Sequence, residues 1–328
     1  MSSRILITGA AGFIGSQLSV RLLSDKRVDK VIGVDNLNGD LDLKIARLHS
    51  IIKTHSKKWQ FVFGDITNSD FVKTIFDEFK PHVVVNLAAQ AGVPFSVLFP
   101  EKTFLPNVTG FFNILNACAN ANVNHLIYAS SSTVYGNDAP NCNSPLSFYA
   151  ASKRANEIFA YPFSQSHKLH TTGLRFFSVY GAWGRPDMLY FKAANNFLHD
   201  EPIFLYGHGK ICRDFTFIND VVESISRVIF KHPRSFYNLY DVGNSKPVSI
   251  YDFTLKLISA LISAKVLSHD FNHYKNLINL EPASYSDIIS TRADIAPFYR
   301  DFLFTPKTDI SVGLRKFANW FNFFVGVD

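Results

Sequence analysis

The first fifteen residues constrain this chain most. Arg4-Ile5-Leu6-Ile7 is an apolar strand pattern, Thr8-Gly9-Ala10-Ala11-Gly12-Phe13-Ile14-Gly15 follows at once, and a helical pattern continues through Leu18, Leu22 and Leu23. A buried strand, a glycine turn and a helix open a dinucleotide-binding βαβ unit. The glycines answer separate demands: a tight turn, backbone approach to a pyrophosphate, and close packing of helix on strand. The phosphates then sit at the positive N-terminal end of the helix. The spacing is GxxGxxG, so the loop is longer than the commonest fingerprint. A tight strand-to-helix turn needs glycine with or without a nucleotide, and a second feature separates these readings. Val31-Ile32-Gly33-Val34 reads as a second strand ending in Asp35, twenty residues beyond Gly15. A carboxylate there accepts hydrogen bonds from both adenosine ribose hydroxyls and repels a 2′-phosphate, which selects NAD over NADP.

At 328 residues the chain is long enough for two lobes. Its composition, 47% hydrophobic and 18% charged, suits a soluble globular enzyme. The first strand begins by residue 4, leaving no room for a signal peptide, and no uninterrupted apolar run is long enough to span a bilayer. Cys118, Cys142 and Cys212 are scattered without metal-ligand spacing and read as reduced thiols in a cytoplasmic protein; no metal is expected. The net charge of +6 is dispersed, with Lys53, Lys57 and Lys58 the nearest thing to a patch. This argues against nucleic acid and suits a pocket for an acidic small molecule.

Apolar strands at residues 60–65, 82–89 and 125–129 alternate with helical segments at 70–79, 109–121 and 149–163. That rhythm predicts an α/β protein with a Rossmann-type, doubly wound parallel sheet covered by helices on both faces. Asp35, Asp65, Ala88–Gln90 and Ser130–Thr133 each close a strand, at the edge where ligands gather in such sheets. From Gly181 to Phe217 prolines, glycines and aromatics loosen the rhythm, which predicts a smaller, interleaved α/β substrate lobe that closes over a ligand. The expected division is an NAD-binding domain over residues 1–174 and about 212–244, and a nucleotide-sugar domain over about 175–211 and 245–328.

Tyr149-Ala150-Ala151-Ser152-Lys153 opens a helix, and i, i+4 spacing puts phenol and ammonium on one face. A free tyrosine, with a pKa of about 10, is a poor base at neutral pH. A fixed lysine charge favours the phenolate and brings it toward the working range. Tyr206-Gly207-His208-Gly209-Lys210 has the same YxxxK spacing, but its glycines make it a turn. Only Tyr149 follows a strand bearing Ser130-Ser131-Ser132-Thr133, whose hydroxyl can bridge a sugar oxygen and the phenol. A polar, locally hydrogen-bonded turn is the bland alternative for that serine run.

Together, Thr8–Gly15, Ser130–Gly136 and the Tyr149/Lys153 pair resemble the extended short-chain dehydrogenase/reductases, specifically the NAD-dependent nucleotide-sugar epimerases. Residues 86–93, 144–153, 173–188 and 213–220 are similar to the UDP-glucuronate 4-epimerase branch. The resemblance implies Ser131, Tyr149 and Lys153 as catalytic residues. It puts NAD against Gly9, Gly12, Phe13, Ile14, Gly15, Asp35, Asn36, Ala88, Ala89, Gln90, Asn107, Tyr149, Lys153 and Phe176, with Asp65 and Ile66 at the adenine. Ser130, Ser132, Ser178 and Arg185 are implied on the sugar side, with Arg213 at the UDP pyrophosphate or ribose and Tyr206 at the uracil. Ordinary packing competes for Tyr206, an ion pair with Asp214 or Asp220 for Arg213, and a surface pair with Asp187 for Arg185. The implied reaction is C4 epimerisation of a UDP-sugar: Tyr149 takes the 4-hydroxyl proton while C4 gives hydride to a retained NAD, and hydride returns to the opposite face. Helical stretches around Phe104–Ala121 and Ala151–Phe163 carry apolar side chains on more than one face, which suits a homodimer through a four-helix contact, as the resemblance also implies, or burial within one subunit; the resemblance further implies a role in polysaccharide biosynthesis.

Departures from the branch bear on the sugar. Residues 39–44 are shorter than usual and lack the usual tyrosines. Pro94 stands in place of arginine, Ser178 in place of threonine, and residues 281–287 lack the usual Gly-Asp-Val. UDP-glucuronate remains the expected substrate, because arginine at 185 can grip a carboxylate with two parallel bonds. The competing readings are UDP-glucose or UDP-N-acetylglucosamine 4-epimerase, a nucleotide-sugar dehydratase, and a non-catalytic NAD-binding sensor.

Overall fold

A computed structural model describes residues 3–55, 57–137, 144–231, 233, 235–283 and 287–326. Cys142 and residues 284–286 of the C-terminal motif lie outside the described residues. The first half alternates β1 (Ser3–Thr8), α1 (Phe13–Leu23), β2 (Val28–Asp35), α2 (Leu41–His55), β3 (Trp59–Phe63), α3 (Ser69–Phe79) and β4 (Val83–Asn86). Helices α4 (Val93–Leu98) and α5 (Pro100–Phe104) run through a π-helical turn, Leu105–Gly110, into α6 (Phe111–Asn120). Strand β5 (His125–Ser131), α7 (Phe148–His167) and β6 (His170–Phe176) follow. Shorter elements come next: β7 (Ser178–Tyr180), α8 (Leu189–Leu198), β8 (Ile203–Leu205), β9 (Cys212–Arg213), β10 (Phe215–Phe217) and α9 (Ile218–Phe230). The remainder comprises β11 (Tyr237–Val242), β12 (Val248–Ser249), α10 (Ile250–Ser263), α11 (Phe271–Asn276), β13 (Ile278–Leu280), α12 (Ala296–Phe302) and α13 (Ile310–Val325).

The chain forms two compact units: Met1–Phe176 with Val222–Asp241 and Ala296–Phe304, and Phe177–Val221 with Val242–Ile295 and Thr305–Asp328. The first unit holds a sheet of order β11-β6-β5-β4-β1-β2-β3. Strand β1 pairs in parallel with β2 on one side and β4 on the other. The chain therefore builds outward to β3 and then restarts beside β1, which opens a crevice at the carboxyl ends of β1 and β4. Ile5, Leu6 and Ile7 are fully buried, as a strand covered on both faces requires. Helices α3 and α6 supply Val72, Ile75, Phe76, Ile114 and Leu115 to the core over Leu6, Val84 and Leu126. The fold expected from the strand rhythm is the fold observed.

Helix α7 runs past the expected end to His167, through Pro162. Pro162 lies on the exposed face of the helix and has no amide to give to its ladder. In the second unit the stretch that reads as irregular contains α8, with Tyr190, Phe191, Ala193, Ala194 and Phe197 buried along one face. The core of this unit is aromatic. Phe215 stacks on Phe253 at 3.7 Å, and the buried Tyr180 lies edge-on to Tyr190, Phe215 and Phe253. Cys118 is fully buried, which pushes its thiol pKa up. Lys58 is no surface patch, since its ammonium binds the carbonyl of Val28 at 2.8 Å. Among the described residues no helix is long and apolar enough to cross a membrane.

Candidate active site

The glycine loop is shaped by backbone packing. Gly9 has φ +68°, and a Cβ there would lie 2.7 Å from the amide nitrogen of Ala88 at the end of β4. A Cβ at Gly15 would lie 2.1 Å from the Gly9 carbonyl. Neither position can carry a side chain, so α1 starts directly against the ends of β1 and β4. Gly12 is the residue before α1, at ordinary negative φ. Phe13 and Ile14 begin the helix behind it. The cradle is bare backbone at a helix N-terminus, the surface that a pyrophosphate fits.

Asp35 closes β2 and is nearly fully buried. Its Oδ2 accepts from the Ala11 amide at 3.0 Å, and Oδ1 accepts from the Leu37 amide at 2.8 Å and the Lys44 ammonium at 2.7 Å. A carboxylate offers about four acceptor positions. Three are taken by protein donors, so Asp35 ties the glycine loop to the end of β2. Lys44 escapes notice in the sequence because nothing local marks its partner. Asn36 donates to Asp65 at 2.8 Å, joining the ends of β2 and β3. Ile66 is buried beside it.

Past β4, the Ala88 amide donates to the Thr8 hydroxyl. Buried Asn107 then anchors Gln90: its Oδ1 accepts from the Gln90 amide at 2.7 Å, and its Nδ2 donates to the Gln90 carbonyl at 3.0 Å. The same Nδ2 donates to Ser152 Oγ at 3.0 Å, and Ser152 donates to the Tyr149 carbonyl at 2.8 Å. One amide in the π-helical turn thus couples the β4 loop, bearing Ala88, Ala89 and Gln90, to the first turn of α7.

Ser147 caps α7 by accepting from the Ala150 amide at 3.1 Å, which places Tyr149 in the first turn. Lys153, one turn on, is buried, donates to the Ala129 carbonyl of β5 at 3.0 Å, and lies 5.9 Å from the centre of the Tyr149 ring. Burial lowers its pKa from 10.5 to about 8. At pH 7 the amine therefore keeps its proton and still faces the phenol as a cation. Ser131 closes β5, with its Oγ accepting from the Thr133 hydroxyl at 2.9 Å. Ser132 is buried beside it, and Phe176 closes the neighbouring β6.

A further turn along α7, Glu157 holds this helix to the sheet. Its carboxylate accepts from Arg175 of β6 at 2.7 and 2.8 Å, from Ser130 of β5 at 2.6 Å, and from Arg154 at 2.7 Å. Burial alone would raise the Glu157 pKa, but Arg175, Ser130 and Arg154 outweigh it and hold it below the usual range. Arg175 also donates to the Tyr135 hydroxyl at 2.6 Å, which donates to Asp241 at 2.7 Å. Ser130, expected on the sugar side, has its hydroxyl engaged in this clamp. Sequence reading missed Glu157; the hint was its i+4 spacing from Lys153, which puts both on the buried face of α7.

In the second unit the implied nucleotide-sugar residues have other partners. Arg185 grips Asp187 at 2.9 and 2.7 Å, the surface pair named as its competitor. Arg213 donates to the Cys212 carbonyl at 3.0 Å and to the Ile288 carbonyl. Asp214 instead accepts the amides of Asn244, Ser245 and Ala293, and Asp220 those of Lys307 and Thr308. Tyr206 is more than half exposed, and Ser178 begins β7, its amide bonded to the Asp214 carbonyl.

The first unit thus brings together a parallel sheet, a glycine cradle, an acidic second-strand terminus and a buried lysine beside a helical tyrosine. The sequence model of the NAD dependent epimerase/dehydratase family matches residues 5–243, and the chain belongs to that family. Protein CapI of Staphylococcus aureus is 40% identical over 345 residues, covering 97% of this chain and 98% of that protein. UDP-glucuronate 4-epimerase 6 of Arabidopsis thaliana is 33% identical over 98% of this chain and 72% of its own length. The crystal structure of UDP-glucuronic acid 4-epimerase from Bacillus cereus, in complex with UDP-glucuronic acid and NAD, matches with a TM-score of 0.86. It is 28% identical and covers 98% of this chain and 99% of that one.

The buried amine makes stability depend on pH. Between pH 8 and 10.5 the unfolded chain holds a proton on Lys153 that the folded chain has lost, so this group's contribution rises with pH across that window and is flat below it. Lys153→Met should stabilise the nucleotide-free protein by up to roughly 3 kcal/mol at pH 7 and remove that rise, while weakening NAD retention. Urea unfolding at pH 7 and 10 checks this. A variant no more stable than its parent at pH 7 contradicts the burial cost.

Proposed function

We propose that this chain is a UDP-sugar 4-epimerase, an isomerase that interconverts UDP-glucuronate and UDP-galacturonate with NAD as a retained cofactor. The observation that carries the chemistry is Lys153, a buried cation held between the end of β5 and the Tyr149 ring. NAD, when bound, supplies a reversible hydride acceptor. The backbone of Gly9, Gly12 and Gly15 receives its pyrophosphate, Asp35 a ribose hydroxyl, and Asp65 with Ile66 the adenine. Ala88, Ala89, Gln90 and Phe176 line the remainder, with Asn107 holding Gln90 in place. Tyr149 accepts the proton of the sugar 4-hydroxyl, Lys153 favours its phenolate, and Ser131 holds the 4-oxygen. Arg213 and Tyr206 serve the UDP end, whose binding energy leaves the sugar free to turn.

The preference for a uronate rests on relatives named for that activity across nearly the whole chain. Arg185 and Ser178 are the residues proposed to hold the carboxylate away from the alignment that would expel CO₂ from a 4-keto uronate. Arg185 must leave Asp187 to do so. That pair is exposed and worth about 0–1 kcal/mol, whereas a charge-assisted bond to substrate contributes about 1.5–3 kcal/mol, so the exchange is favourable. The observation on the side of a neutral sugar is the same Arg185–Asp187 pair, left intact.

We also propose a homodimer. Phe104, Leu105 and Phe112 before and within α6, and Ile158, Phe159 and Tyr161 on α7, are exposed apolar side chains. Phe112 and Phe163, 5.9 Å apart, bring the two helices together. Such a face suits a symmetric four-helix contact. The free thiols of Cys118 and Cys212 support a reducing, cytoplasmic location.

Two measurements test these readings. With UDP-glucuronate, UDP-glucose and UDP-N-acetylglucosamine followed by NMR, the uronate should turn over fastest. Arg185→Ala should cut its kcat/KM by roughly 10–100-fold, consistent with 1.5–3 kcal/mol, while neutral sugars change far less. Wild-type preference for a neutral sugar, or equal losses for both classes, removes the uronate assignment and leaves epimerisation standing. Light scattering at micromolar concentration should give twice the 37.0 kDa chain mass; a monomer means those faces serve something else.

A further inference from the structure

We propose that Asp200, His269 and His273 form a surface site for a divalent cation of the zinc class, clipping the end of α8 to the segment leading into α11. All three belong to the second unit, and none takes part in the proposed reaction. The ligand atoms lie within 4.8 Å of one another. His273 Nε2 is 2.9 Å from Asp200 Oδ1, His269 Nε2 is 3.8 Å from Oδ2, and the two imidazoles are 4.2 Å apart. Donors about 2.0–2.2 Å from a tetrahedral zinc stand about 3.3–3.5 Å from each other. The two imidazole–carboxylate separations bracket that value, and the three side chains are exposed and can adjust to meet it.

The backbone holds these side chains in place. Asp200 has φ +55° just past α8, with its amide on the Phe197 carbonyl at 3.2 Å. Asp270 caps α11 by accepting from the His273 amide at 2.9 Å, and the buried Tyr274 hydroxyl accepts from the His269 amide at 3.3 Å. Tyr274 packs edge-on against Phe197, tying both segments together. A carboxylate beyond the C-terminal end of α8 faces the negative end of the helix dipole, an arrangement that a cation relieves. Two imidazoles on a single carboxylate leave coordination positions for water and favour zinc, cobalt or nickel over magnesium.

The test is calorimetric titration of the NAD-loaded, EDTA-treated protein with ZnCl₂, with MgCl₂ as control. One zinc per chain should bind with an upward shift in thermal midpoint. Asp200→Asn and His273→Gln, both exposed positions, should each weaken binding by more than about tenfold, the scale of losing even a supporting partner of a metal ligand. They should also abolish the shift and leave epimerase kcat/KM unchanged. No zinc binding by the wild type, undiminished affinity in both variants, or magnesium binding as tight as zinc overturns the site.

Discussion

Everything the site can do depends on how firmly α7 is held against the sheet, and the buried Glu157–Arg175 pair sets that. Glu157 is reached by two arginines and a serine from three elements, so its charge is matched where water is excluded. Removing one partner from such a pair costs about 3–5 kcal/mol, because the other charge is stranded. The energy is spent on position. Lys153 and Tyr149 lie one and two turns before Glu157, so the clamp orients the face that carries the phenol and the ammonium. Asn107, through Ser152, secures the first turn.

The proposed chemistry uses an unfavourable placement. Lys153 has burial against it, with a backbone carbonyl as its hydrogen-bond partner. Lowered to about 8, its pKa stays high enough for the amine to be charged at neutral pH and low enough for the cation to be poorly solvated. A poorly solvated cation acts strongly on a nearby phenol. The nucleotide end is built differently. There Asp35 is matched by Lys44 and two amides, which fixes the glycine loop before any ligand arrives.

The parallel sheet was legible because its strands are buried on both faces and read as unbroken apolar runs, and the glycine loop because backbone packing admits no side chain there. The Tyr149/Lys153 pair was legible through helical spacing. Long-range partnerships were not. Arg175 lies eighteen residues from Glu157, on another element, and no local pattern links them. Asp214 reads as a partner for Arg213, yet it turns inward to the amides of Asn244, Ser245 and Ala293, while the part-buried Arg213 bonds the Cys212 and Ile288 carbonyls instead. Helix α8 was hidden by the glycines and prolines around it, and the aromatic core of the second unit has no period to read, since its strands are only two or three residues long.

The central claim is that Tyr149, Lys153 and Ser131 work on C4 with a cofactor that never leaves. UDP-glucuronate deuterated at C4, turned over without added NAD in ordinary water, tests this directly. The account predicts UDP-galacturonate that keeps its deuterium at C4, because the hydride returns to the same carbon from a retained carrier. Deuterium lost to solvent, or turnover that requires added oxidant and reductant, would contradict it.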